Sequence, residues 1–211
     1  MGLLRDIQLG LERYYDLEPF MNVEECRLLK VDGVDYNREY LMVKTLDDCV
    51  ELGLFIDPEL EERAELFHAI DGRGLDAWAA LVEGVSHFLY VGHCGRYDRR
   101  VSLNELEYQA EADKFLFTAH RFLNPMRPLV RQLETLYRRL FEGWTYVDSP
   151  GGDHGLYLDA SRRAAQTCTR WIHTIRRDRW TKDRLRREGR RFYRKNFDAK
   201  SQAHRQKWLP L

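Results

Sequence analysis

Much that would announce a function is missing from this chain. Its four cysteines, Cys26, Cys49, Cys94 and Cys168, are widely spaced and form no Cys-x-x-Cys pair. In a chain of 211 residues they read as reduced thiols rather than a disulfide framework. No uncharged apolar run approaches the ~20 residues a membrane span needs. The first apolar residues alternate with Arg5 and Asp6, unlike a signal peptide. Met1-Gly2 opens a myristoylation motif, but position six is Asp rather than Ser or Thr. Internal repeats and low-complexity tracts are also lacking. Ser86 has no Gly-x-Ser-x-Gly context. The Gly72-Arg73-Gly74 and Gly151-Gly152 stretches lack the preceding strand and following Lys-Ser/Thr of a phosphate loop, and read as turns. The expectation is a soluble cytoplasmic protein with no membrane partner.

Net charge is missing too: 34 basic residues balance 34 acidic ones. The balance hides an asymmetry. From Arg176 onward there are 14 Lys and Arg against four Asp and Glu, leaving a net of −10 for the preceding residues.

What is present is a pattern of helices. Ser102 and Glu105 have capping-box spacing, with Val101 and Leu106 placed as a hydrophobic staple. Asn124-Pro125 marks the exit, since a residue before proline avoids the helical region. The helix between, Val101 to Asn124, shows two apolar sides, one with Leu103, Leu106, Ala110 and Phe117, the other with Tyr108, Phe115, Leu116 and Phe122. Two apolar faces imply packing on both sides, with both Leu106 and Phe115 buried. The wedges between carry Glu107, Glu111 and Lys114, and opposite them Gln109, Asp113 and His120, which must be paired if enclosed.

Upstream, residues 2–17 read as an amphipathic helix, followed by strands at Glu25–Val31, Glu39–Lys44 and Cys49–Ile56. The last alternates Val50, Leu52, Leu54 and Ile56 onto one face. Asp57-Pro58 starts a helix, and another spans 75–92, with His93–Arg100 leading into the central helix as an antiparallel hairpin. Leu129–Phe141, closed by Gly143, and Tyr157–Ile175 follow, across a flexible loop at Asp148–Gly155, and a basic helix runs from Trp180 to about Lys207. The expected class is α+β: a small N-terminal three-stranded antiparallel sheet, then a bundle of about five helices. The division expected is 1–74 for the first helix and sheet and 75–211 for the bundle, unless the two are continuous.

Two places offer chemistry. Glu83 and His87 share a helix face at i,i+4, and the hairpin would set His87 level with Glu107 to Glu111. Glu83, His87, Glu107 and Glu111 would then be candidate catalytic or metal-ligating groups. Their Glu-x-x-x-His interval departs from the Glu-x-x-His of di-iron bundles, and Trp78, Val82 and Val85 point the other way around the helix. His93-Cys94 is a lone imidazole and thiol, short of a zinc set. The second place is the basic segment, with Arg186, Arg187, Arg190 and Arg191 as partner-binding candidates and interleaved aromatics for stacking. The whole-chain neutrality favours docking of this segment on the acidic body over nucleic-acid binding. Docking would put half or more of the arginines between 176 and 194 beside body carboxylates, over buried Trp180, Phe192 and Tyr193, with no duplex retained. The leading expectation is a non-enzymatic cytoplasmic binding or adaptor module with a protein partner or a second copy. The alternatives are a small helical enzyme, hydrolytic or metal-dependent, and a nucleic-acid binder. The sequence does not identify a cofactor or a metal.

Overall fold

A computed structural model describes residues 2–29, 39–46, 49–142, 154–179 and 181–205. The Asp32-Gly33 break, the Asp47-Asp48 turn, Gly143, Gly151-Gly152 and Trp180 lie outside them. Among the described residues no helix is long and apolar enough to cross a membrane. Among the described residues the fold is mixed α/β, with eight helices and one three-stranded sheet, in two compact units, Met1–Val101 and Ser102–Leu211.

In the first unit α1 (Leu3–Tyr15) buries Leu4, Ile7, Leu11, Tyr14 and Tyr15. Its enclosed polar pair ties down the chain that follows. Gln8 donates to Glu12 at 2.9 Å and to the Met21 carbonyl at 2.8 Å, and accepts from the Val23 amide at 2.9 Å. Strands β1 (Arg27–Leu28), β2 (Glu39–Thr45) and β3 (Val50–Ile56) form the sheet in the order β1-β3-β2. It is not the antiparallel sheet expected: β2 pairs antiparallel with β3, but β1 pairs parallel with it. Three strands that alternate in direction leave the first and third parallel, and β3 takes the centre because its end is the most apolar. Leu54, Phe55 and Ile56 are all buried while Val50 and Glu51 are exposed, so burial follows depth along β3 rather than strict alternation.

Asp57 caps α2 (Pro58–Glu65) by accepting from the Glu59 amide at 2.8 Å. α3 (Leu75–Arg96) is a turn longer than the spacing indicates and is apolar nearly all round. It packs on α1, α2, β2 and β3. Gly84 faces the sheet, where an added Cβ would lie 3.1 Å from Ile56 and 3.2 Å from Leu54.

In the second unit the central helix is α4 (Leu103–Phe122), with the Ser102 hydroxyl accepting from the Glu105 amide at 3.2 Å. Phe115 and Phe117 are both buried, so the two-sided expectation holds over its middle. It fails in the first turn: Leu103 is exposed and Leu106 only half-buried, because a helix end has fewer neighbours than its centre. Around α4 lie α5 (Leu129–Phe141), α6 (His154–Asp178) and α7 (Lys182–Tyr193), and α8 (Phe197–Arg205) packs on α6. Among the described residues the basic segment is therefore two helices rather than one, and six helices rather than about five follow the sheet and α2.

Candidate functional site

The four residues singled out for catalysis or metal binding divide between the units. On α3, Glu83 is half-buried and His87 is buried. Their i,i+4 spacing sets a carboxylate oxygen and an imidazole nitrogen within 4.8 Å of one another. On α4, Glu107 is buried and Glu111 half-buried, with the Lys114 ammonium 3.0 Å from Glu111. The i,i+3 pairing expected of Glu111 and Lys114 is thus made, inside the helix that carries them.

The wedge of Gln109 and Asp113 belongs to a polar network deeper in the second unit, with a partner the sequence did not indicate. Lys200 of α8 is 1% exposed. Its ammonium donates to Gln109 at 2.7 Å, lies 3.8 Å from Glu105 and stands 5.0 Å over the Phe192 ring. Gln109 in turn donates to Asp113 at 2.6 Å. Tyr108 and Thr167 share a hydrogen bond of 2.7 Å between their hydroxyls, and burial pushes the Tyr108 phenol up to about 12. These groups satisfy one another in the interior and fix how α4, α6, α7 and α8 pack. They are architecture. The sequence places α4 and the basic segment far apart, so the contact between Gln109 and Lys200 had no local signal.

The basic segment is the other candidate. Thr181 caps α7, its hydroxyl accepting from the Arg184 amide at 3.3 Å. Leu185, Phe192 and Tyr193 are buried along one seam of the helix, and Phe192 meets Tyr108 and Trp171 edge-on. Opposite that seam, Arg184, Arg187, Arg191, Arg194 and Lys195 are exposed. Between seam and face lie Lys182, Arg186 and Arg190, half-buried at i, i+4 and i+8. Of the four arginines proposed from sequence, Arg187 and Arg191 therefore face outward, and Arg186 and Arg190 flank the buried seam.

Arg177 pairs with Asp178, Arg186 with Asp183 at 3.5 Å and Arg191 with Glu188 at 2.7 Å, while Arg176 reaches Glu134 on α5. The aromatic part of the docking expectation holds for Phe192 and Tyr193. The side chain of Arg191 remains 72% exposed, the opposite of an arginine covered by a carboxylate surface.

His120, in the last turn of α4, stands in the field of this flank. Burial lowers its pKa to about 4, and the charges of Lys182, Arg186 and Arg190 act in the same direction, against Asp183. Burial likewise lowers Lys182. Compared with protein-family profiles, curated proteins and solved structures, the chain matches none of them.

Proposed function

We propose that this chain is a non-enzymatic binding module that grips the phosphate backbone of nucleic acid through the outer face of α7. The observation that carries the reading is the division of that one helix. Its apolar and aromatic side chains are buried, and Arg184, Arg187, Arg191 and Arg194 recur outward on successive turns. From Arg184 to Arg194 the row runs about 15 Å at 1.5 Å per residue. Guanidinium groups suit phosphate because their planar forks donate two parallel hydrogen bonds. Phe192 and Tyr193 are not offered to bases, so the expected mode is backbone contact without sequence reading, favouring duplex over single strands that need stacking platforms.

The test is fluorescence anisotropy with a labelled 25-base-pair duplex. Non-specific binding should give Kd on the order of 10⁻⁴–10⁻⁶ M near physiological salt. With about four phosphates contacted, the log–log salt slope should be about −3.6. Changing Arg184, Arg187, Arg191 and Arg194 to Gln should abolish binding without shifting Tm, because the changed side chains are exposed. Binding that is absent at 50 mM salt, flat with salt or unchanged in this variant would refute the reading.

A second reading is a divalent metal on α3, favoured by Glu83 and His87 donor atoms that lie within 4.8 Å of one another. A carboxylate and an imidazole suit zinc and other first-row metals. Metal analysis of the purified protein tests it. A stoichiometric metal lost in both Glu83→Gln and His87→Ala would support it, and Glu107→Gln and Glu111→Gln made separately would read whether those carboxylates contribute. A metal-free protein that takes up no zinc would end it.

A further inference from the structure

We propose that one phosphate of the bound chain seats on the inner flank of α7, against the end of α4, held by Lys182, Arg186 and Arg190 with His120 beside it. The proposal rests on the nucleic-acid reading and deepens it, by naming a second row of contacts beyond the exposed one. Three features of the structure support it. Lys182, Arg186 and Arg190 recur at i, i+4 and i+8, which puts three cationic groups in line along one side of the helix. Each is half-buried, so each has part of its reach closed off from solvent and charges there are screened less than on the outer face. His120 comes from another helix, α4, which packs on α7, and its ring feels all three cations and Asp183.

An anion here would meet groups from two helices, as a seat requires, rather than a single stripe. It would also reverse the electrostatics of the histidine. The three cations oppose a proton on His120; a phosphate bearing one or two negative charges favours it. A neutral imidazole offers one donor and a protonated one offers two, so binding of the anion and uptake of the proton support one another. Asp183, 3.5 Å from Arg186, is the acidic group an incoming phosphate displaces or must tolerate. Asp183→Asn should therefore tighten binding.

The experiment is an NMR pH titration of the His120 ring in the full chain, alone, with saturating 25-base-pair duplex, and with inorganic phosphate. The seat predicts that duplex raises the His120 pKa by one unit or more. It also predicts that Arg186→Gln with Arg190→Gln removes that rise while weakening duplex binding no more than about tenfold, because the outer row remains. If duplex binds and the His120 titration does not move, the seat is wrong and the nucleic-acid reading stands. If duplex does not bind, that reading fails and the phosphate arm decides the seat. A His120 shift with millimolar phosphate that the double variant lacks would keep it as a site for a free phosphate group, and no shift would remove it.

Discussion

Lys200 carries its ammonium into a place where an uncompensated charge would cost several kcal/mol. Its partners Gln109 and Glu105 and the face of Phe192 offset that cost. Removing Lys200 takes a charge-assisted hydrogen bond and an ion pair from enclosed groups, so Lys200→Met should destabilise by about 3 kcal/mol. Combining it with Glu105→Gln should recover part of the loss, as a urea-unfolding double-mutant cycle would show. Additive losses would mean that the 3.8 Å pair contributes nothing. His120 makes a prediction in pH. Its pKa is lowered to about 4 by burial and by the cations of α7, below an unfolded value of ~6.5. Protonation therefore favours the unfolded chain. The contribution is fully present above about pH 6.5 and is lost as pH falls toward 4. Carboxylates titrate in the lower part of that window, so the readout is the difference in Tm between the parent chain and His120→Gln. The parent should lose more between pH 6.5 and 4.5; parallel curves would contradict the assignment.

Within elements, Gly84 and Gly92 of α3 separate packing from propensity. Either one changed to Ala gains about 1 kcal/mol of helix propensity. At Gly84 the new Cβ would press on the flexible ends of Ile56 and Leu54 at 3.1 and 3.2 Å, whereas at Gly92 it would fall 2.3 Å from the Phe20 ring. Gly84→Ala should be near neutral. Gly92→Ala should destabilise by about 1–3 kcal/mol through overpacking, and equal effects of the two would disprove the assignment. Such contacts were not legible in the sequence, which shows a glycine but not the ring against it. Local signals were legible: Ser102 and Asp57 cap the helices their spacing promised, and the ends of α5 match the apolar pattern. The strand order was not, because a two-residue β1 carries too little pattern to choose between β2 and β3. The break between α7 and α8 does carry a local signal. Asn196, whose side chain accepts from the Ala199 amide at 3.0 Å, is a cap followed by Asp198 in the first turn. The candidate site was legible in part: the arginines were identifiable by type, but which of them turn outward depends on the buried seam of Leu185, Phe192 and Tyr193.

At the scale of the whole chain, neutrality arises from two opposed halves. Residues 1–101 hold 11 Lys and Arg against 21 Asp and Glu, and residues 102–211 hold 23 against 13. A net charge near zero removes the repulsion that keeps copies apart, and opposite fields on one molecule let an acidic region of one copy attract a basic region of another. The sequence pI of about 7.1 puts this condition at neutral pH. Near pH 7 and at low salt the protein should therefore self-associate weakly, with the average mass from light scattering rising with concentration at 20 mM salt. The excess should vanish by about 300 mM, where the Debye length has fallen to ~6 Å. The outer row of α7 is part of the basic surface, so changing Arg184, Arg187, Arg191 and Arg194 to Gln should reduce the association at low salt. A short duplex should compete with it in the parent chain, since both would occupy the same arginines. Association that persists at high salt, or that the variant leaves unchanged, would point instead to an apolar contact between copies and would count against the arginine face as the chain's main binding surface.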